Sequence, residues 1–210
     1  GLSAALEAAD NGSKVLLVDQ DFELGGQLLS ERDDGWLSAQ IQLINDHDQI
    51  TVMPRTTAFG YYDHNVVNLV ERVADHLPAS PHYVPRQRLW TIRAKNVVLA
   101  TGAVERPFVF GNNDIPGIML ASAAKTYIRR FGVKPGQAVV LFTNKDSIYG
   151  MIEDLLEAGI KIQAIVDSRE NPPEEVMAIA RVHNIHVQCA HVVTSAHGGK
   201  HIRSVSINAY

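Results

Sequence analysis

Cysteine is nearly absent from this chain: Cys189 is the only one. That excludes a disulfide within the chain and a redox-active cysteine pair. Cys189 itself is expected as a small buried hydrophobe in a strand, and a reducing, cytoplasmic compartment fits such sparse usage. An excess of either charge is also lacking, with 19 Lys and Arg against 23 Asp and Glu. Nothing in that balance favours nucleic acid or an anionic membrane surface as partner. No apolar run approaches the roughly 18 residues of a membrane-spanning helix, and no basic-then-apolar signal opens the chain. No Gly-x-Ser-x-Gly elbow is present, and Cys189 has no motif around it, so no covalent catalysis is expected. The histidines supply no metal site: His183 closes a helix while His186 lies on a strand, and no thiol or carboxylate cluster supports them or the His197–His201 pair. An initiator Met is missing too. The chain opens on Gly1 and passes at once into an amphipathic helix, which reads as a truncated start. It stops at Tyr210, in or just after a strand, so its last domain reads as unfinished.

What is present is ordinary globular material: 210 residues, 46% hydrophobic and 20% charged, enough for one large domain or two small ones. Leu2, Ala5, Leu6 and Ala9 recur at helical spacing, and Asn11-Gly12 stops that helix. Val15 to Val18 is a short continuous apolar run, suited to a strand buried on both faces of a parallel sheet, and it ends on Asp19. A helix is expected from about Trp36 to Asn45. Two or three β segments follow between Ile50 and Arg93, including Thr57 to Tyr62 and Arg88 to Arg93. Asn96 to Ala100 reads as a second buried strand, closed by Thr101-Gly102. After a Gly- and Pro-rich connector a second cycle begins: helix 122–131, strand 138–142, helix 147–158, strand 160–166 ending on Asp167, helix from Pro172-Pro173 to about His183, and strand 185–189. Gly198-Gly199 marks a hairpin between Val192 and Ser206. The expected fold is α/β: a Rossmann-like FAD/NAD(P)-binding fold with two βαβ cycles and an inserted β-meander, truncated at both ends. The expected division is a first dinucleotide-binding domain over 1–110, lacking its first strand, and a second, degenerate one over 111–210.

A dinucleotide fold needs glycines in its first strand-to-helix turn, so that backbone can approach a pyrophosphate seated on the helix N-terminus. It also needs an acid roughly 20 residues on to hold the ribose hydroxyls. Gly1 leads into its helix as the third fingerprint glycine does, and Asp19 follows at close to that spacing. Glu23-Leu24-Gly25-Gly26-Gln27-Leu28 resembles the loop after the acid in flavoproteins with two dinucleotide domains. VVLATGAVERP, Val97 to Pro107, resembles the return strand of that superfamily, where Ala100, Thr101 and Gly102 let backbone lie against the cofactor. Asp19 is followed by Gln20, Asp21 and Glu23 with no Arg or Lys nearby, so a 2′-phosphate would meet repulsion and NAD is favoured over NADP. The same acid also serves the adenosine ribose of FAD, and the residues alone do not separate the two. In the second cycle Phe142 to Gly150 carries large residues where close approach is needed, so a structural role or a different contact is expected there.

Four blocks make the resemblance narrower: RTTAFGYYDHN (Arg55 to Asn65), RQRLWTIRAKNVVLATGAVERPFVF (Arg86 to Phe110), NDIPGIMLASA (Asn113 to Ala123) and VLFTNKDSIY (Val140 to Tyr149). Together they resemble the alpha subunit of heterotetrameric sarcosine oxidase, with departures at Lys145 and Ile148. The resemblance implies an enzyme that oxidatively demethylates sarcosine to glycine, forming hydrogen peroxide and methylenetetrahydrofolate. It implies NAD in this fold, FAD in a beta subunit, FMN where alpha and beta meet, tetrahydrofolate as co-substrate, and beta, gamma and delta partners. The carried-over NAD contacts are Gly1, Leu2, Asp19, Gln20, Gly25, Gly26, Gln27, Leu28, Thr57, Ala58, Ala100, Thr101 and Gly102, with no catalytic residue among them. A related opine or amine oxidase subunit, a cyanide-forming glycine dehydrogenase, and a noncatalytic nucleotide-binding module are the other readings.

Overall fold

A computed structural model describes residues 1–32 and 35–210. The chain divides into two compact units, Gly1–Ala103 and Val104–Tyr210. The second unit takes in the connector from Val104 onward: Phe108 and Phe110 pack on Phe142, and the Gly111 N–H donates to the Thr194 carbonyl at 2.9 Å.

In the first unit, helix α1 (Leu2–Asp10) buries Ala5 and Ala9. Gly12, at φ +80°, turns the chain out of it, a conformation that costs glycine little. Strand β1 (Val15–Val18) follows and pairs in parallel with β2 (Ile50–Met53), register Val15 to Ile50 through Val18 to Met53. The 3-10 turn Gly26–Ser30 and helix α2 (Trp36–Asp46) connect them, and α2 buries Ile44 beside α1. Three antiparallel strands, β3 (Thr56–Tyr62), β4 (Val66–Glu71) and β5 (Arg88–Arg93), then form the inserted meander in the order β3-β4-β5. Leu69 on the central strand is buried, and the Trp90 indole N–H donates to Glu71 across the β4–β5 pair at 2.8 Å.

The structure corrects the strand expected over 96–100 and shows how far the two apolar runs are exposed. The run Val15 to Val18 is only half-buried, with Leu16 37% exposed. Asn96 to Ala100 forms no strand, and Val98 and Leu99 are more than two-thirds exposed. An apolar run becomes a strand only where a neighbour completes its ladder, and no assigned strand among the described residues pairs with this segment.

The second unit carries α3 (Ala121–Arg129), β6 (Ala138–Thr143), α4 (Ile152–Glu157), β7 (Lys161–Asp167), α5 (Glu174–Val182), β8 (Val187–Cys189) and the hairpin of β9 (His191–Gly198) and β10 (Ile202–Ala209). Strands β6, β7 and β8 make a parallel sheet in that order, crossed by the helices between them. The helix expected over 147–158 is split: residues Asp146–Met151 wind as a 3-10 helix before α4 begins. Ile148, Tyr149, Met151, Ile152, Leu155 and Ile165 form the buried core, each large aliphatic side chain stabilising by roughly 1.5–3 kcal/mol on burial. Cys189, expected to be buried, is partly exposed at the end of β8.

Against that core lies a polar cluster centred on Asp167. Asp167, fully buried at the end of β7, accepts from the Tyr149 hydroxyl at 2.9 Å and from the Arg169 backbone N–H at 2.9 Å. The Arg169 guanidinium adds bonds to both Asp167 oxygens, 3.0 and 2.8 Å, and a further one to Asp146 at 2.6 Å. Burial pushes the Asp167 carboxyl up, but the Arg169 and Tyr149 hydrogen bonds outweigh it and hold the group below its ordinary range. The stabilisation is therefore full above the unfolded aspartate value of about 3.9 and is lost as pH falls through the lower folded value. Asp167→Asn leaves the Arg169 guanidinium with Asp146 as its remaining carboxylate partner and removes the charge-assisted bonds at Asp167, at an expected cost of about 1–3 kcal/mol. Urea unfolding followed by circular dichroism from neutral to acid pH should show that loss, with a shallower acid limb in the variant; identical profiles would remove Asp167 from the stability account.

Candidate functional site

The first unit carries the residues with binding chemistry, and its parallel strand pair positions them. The ladder of β1 and β2 continues past both strand ends: the Asp19 N–H donates to Met53 at 3.1 Å, the Thr56 N–H to Asp19 at 2.8 Å, and the Arg55 N–H to Asp21 at 2.6 Å. Asp19 is thus fixed by its backbone where β1 stops. One carboxylate oxygen, Oδ1, accepts from the Asp21 N–H at 2.9 Å. The other has no partner among the described residues. A half-buried carboxylate with one open oxygen is suited to accept from vicinal hydroxyls.

Gly1 caps α1, its carbonyl accepting from the Ala5 N–H at 2.9 Å, and a Cβ built on it would meet the Ala100 Cβ at 3.6 Å. Leu2 opens the helix proper. The start of α1 and the Ala100-Thr101-Gly102 segment therefore lie side by side, with only small side chains between them. Gly102, at φ +71°, has open space where a side chain would stand. The glycine loop reaches the same segment, since the Gln27 amide donates to the Ala103 carbonyl at 3.3 Å. Gly25 precedes the 3-10 turn that holds Gly26, Gln27 and Leu28, and Leu28 is 42% exposed. Thr57 and Ala58 sit on β3 opposite Val70 and Leu69.

Sequence reasoning missed two residues. Arg55, in the β2–β3 turn, and Arg72, just past β4, line a pocket of about 500 Å³ together with Gln20, Asp21, Phe22 and Thr57. The Arg72 guanidinium donates to the Gln20 carbonyl at 2.5 Å, and the Arg55 guanidinium lies 5.1 Å from the Phe22 ring centroid. Sequence spacing counts cations only along the chain after Asp19. The segment after Asp19 holds none, but the sheet brings two from 35 and 50 or so residues downstream, as only the strand pairing reveals. The counterpart of Asp19 in the second unit, Asp167, is closed off by Arg169 and Tyr149 and offers no open oxygen.

No protein-family model matches the chain. The sarcosine oxidase alpha subunit of Rhizobium meliloti (strain 1021) is 41% identical to it over 216 residues, covering 99% of this chain and 21% of that protein. The sarcosine oxidase alpha subunit of Corynebacterium sp. (strain P-1) is 44% identical over 178 residues, covering 80% and 18%. The chain thus spans about a fifth of the length of these curated relatives. Among solved structures, the L-proline dehydrogenase from P. horikoshii superposes with a TM-score of 0.67 at 23% identity, covering 97% of this chain and 36% of that one. The fold is the Rossmann-like FAD/NAD(P)-binding fold of the oxidoreductases.

The glycine loop gives a direct test of the local geometry. Gly25 adopts φ +135°, and a Cβ there would stand 3.0 Å from both Leu29 and Leu37. Gly26, at φ +57°, has open space around it. Gly25→Ala is expected to cost roughly 1–3 kcal/mol, and Gly26→Ala about 1 kcal/mol. Urea midpoints of the two variants would decide; a Gly26 variant at least as damaged as the Gly25 variant would show that the leucine contacts do not constrain the loop.

Proposed function

We propose that the first unit holds the adenosine half of NAD, within an alpha-type subunit of a sarcosine-oxidising enzyme. The single observation that carries the nucleotide reading is Asp19: a carboxylate fixed at the end of a parallel strand, with one oxygen turned to a structural turn and one left open. Ribose diols bind to such groups in this fold. The remaining contacts would come from Gly1 and Leu2 at the start of α1 and from Gln20 beside Asp19. Gly25, Gly26, Gln27 and Leu28 would contribute from the glycine loop, Thr57 and Ala58 from β3, and Ala100, Thr101 and Gly102 from the segment beside Gly1. Small residues at Gly1, Ala100 and Gly102 leave backbone open to a ligand, which is what close approach of a dinucleotide requires.

The similarity to sarcosine oxidase alpha subunits supports the wider reading. In it, the whole enzyme converts sarcosine to glycine with formation of hydrogen peroxide and methylenetetrahydrofolate. Beta, gamma and delta subunits are the partners, FAD belongs to the beta subunit, FMN lies at the alpha–beta contact, and the complex works in the cytoplasm. No helix among the described residues is long and apolar enough to cross a membrane. Two domains with unequal roles fit this assignment. The first binds the nucleotide, and the second, whose strand-end acid is sealed, serves structure or assembly. Within this unit the protein's task is binding and orientation. Asp19 holds a ribose, and the chain supplies no acid, base or nucleophile to the oxidation.

Asp19→Ala removes a charge-assisted hydrogen-bonding group, roughly 1.5–3 kcal/mol, so NAD affinity should fall on the order of 10- to 100-fold. Dinucleotide released from the heat-denatured protein, quantified against wild type, measures this. Unchanged NAD content would move the ribose elsewhere.

A further inference from the structure

The pocket lined by Gln20 and Asp21, which follow Asp19 in the chain, has a charge pattern that a plain ribose does not need. Arg55 and Arg72 both line it, and among the described residues neither guanidinium lies within ion-pair distance of a carboxylate. Their positions are built rather than incidental. Arg55 adopts φ +54°, a left-handed conformation that a side chain other than Gly, Asn or Asp rarely takes. That backbone is held from two sides, by the Arg55 N–H to Asp21 at 2.6 Å and by the Arg72 N–H to the Arg55 carbonyl at 3.0 Å. The Arg55 side chain lies over Phe22, and Arg72 is tied to Gln20. Thr57 lines the same pocket.

We propose that this pocket is a phosphate-monoester subsite that receives the 2′-phosphate of an adenine dinucleotide, so that the protein accepts NADP as well as NAD. The proposal rests on Asp19 being the ribose ligand, since the volume next to the ribose acid is where a 2′ substituent would enter. Asp19 and Asp21 oppose an added anion. Asp21 Oδ1, however, is already occupied by the Phe22 N–H at 2.7 Å, whereas two guanidiniums offer forked donors that match phosphate oxygens. Asp21 keeps its charge and Arg72 also acts on Asp75, so it is the forked donors of the two guanidiniums that favour a phosphate.

Titration calorimetry on the purified full-length protein, stripped of resident nucleotide, tests this with NAD and NADP as probes and inorganic phosphate as competitor. NADP is expected to bind within about tenfold of NAD. Arg55→Gly, which suits the left-handed backbone and removes the cation together with its contact to Phe22, should weaken NADP about tenfold more than NAD, and Arg72→Gln should do the same. Raising salt should narrow the gap between wild type and variants. Inorganic phosphate should compete with NADP more than with NAD. If NADP binds more than about tenfold below NAD, or if both variants weaken the two dinucleotides equally, the subsite is refuted while the Asp19 reading stands. If neither dinucleotide binds, both fall together.

Discussion

The pairing of β1 with β2 is the constraint on which the candidate site depends. Four parallel rungs, Val15 to Ile50 through Val18 to Met53, set the register, and three more backbone bonds carry it beyond the strand ends into Asp19, Asp21, Arg55 and Thr56. A slip of one residue would turn every side chain to the opposite face. Gln20 and Asp21, the two arginines and Thr57 come from three separate stretches of sequence, so their convergence depends on that register together with the β3–β4 pairing that carries Arg72.

The two units show how one topology yields different chemistry. Each ends a parallel strand on an aspartate, Asp19 after β1 and Asp167 closing β7. In the first, the carboxylate is half-exposed and spends one oxygen on a turn. In the second, it is fully buried and its oxygens are taken by Arg169 and Tyr149. A carboxylate sealed in this way is an internal strut, because displacing Arg169 to admit a ligand would strand a buried charge. Position at a strand end thus marks a site only when the local neighbours leave the acid open.

Much of this was legible in the sequence because it depends on local pattern. The helix stops at Gly12 and Gly159, the strand ending on Asp19, the glycine loop and the hairpin around Gly198-Gly199 follow from spacing and turn chemistry. The two-cycle Rossmann-like fold with its inserted meander follows from their order, and the shared blocks point to the relatives that the comparisons show. What sequence pattern could not supply was the set of neighbours. Val97 to Ala100 has the composition of a buried strand and lies exposed without a ladder. The helix expected over 147–158 begins as a tighter 3-10 turn, with Ile148, Tyr149 and Met151 packed into the core. Arg55 and Arg72 carry no motif, and only the strand order brings them to Gln20 and Phe22.

The buried aspartate of the second unit also bears on the chain's sparse sulfur chemistry. Cys189 stands at the end of β8, paired in register with Asp167. Burial first, and the Asp167 charge second, raise its thiol above the ordinary value. Oxidation by peroxide proceeds through the thiolate, a form that this placement suppresses at neutral pH. The single sulfhydryl is therefore held toward its protonated, less reactive form.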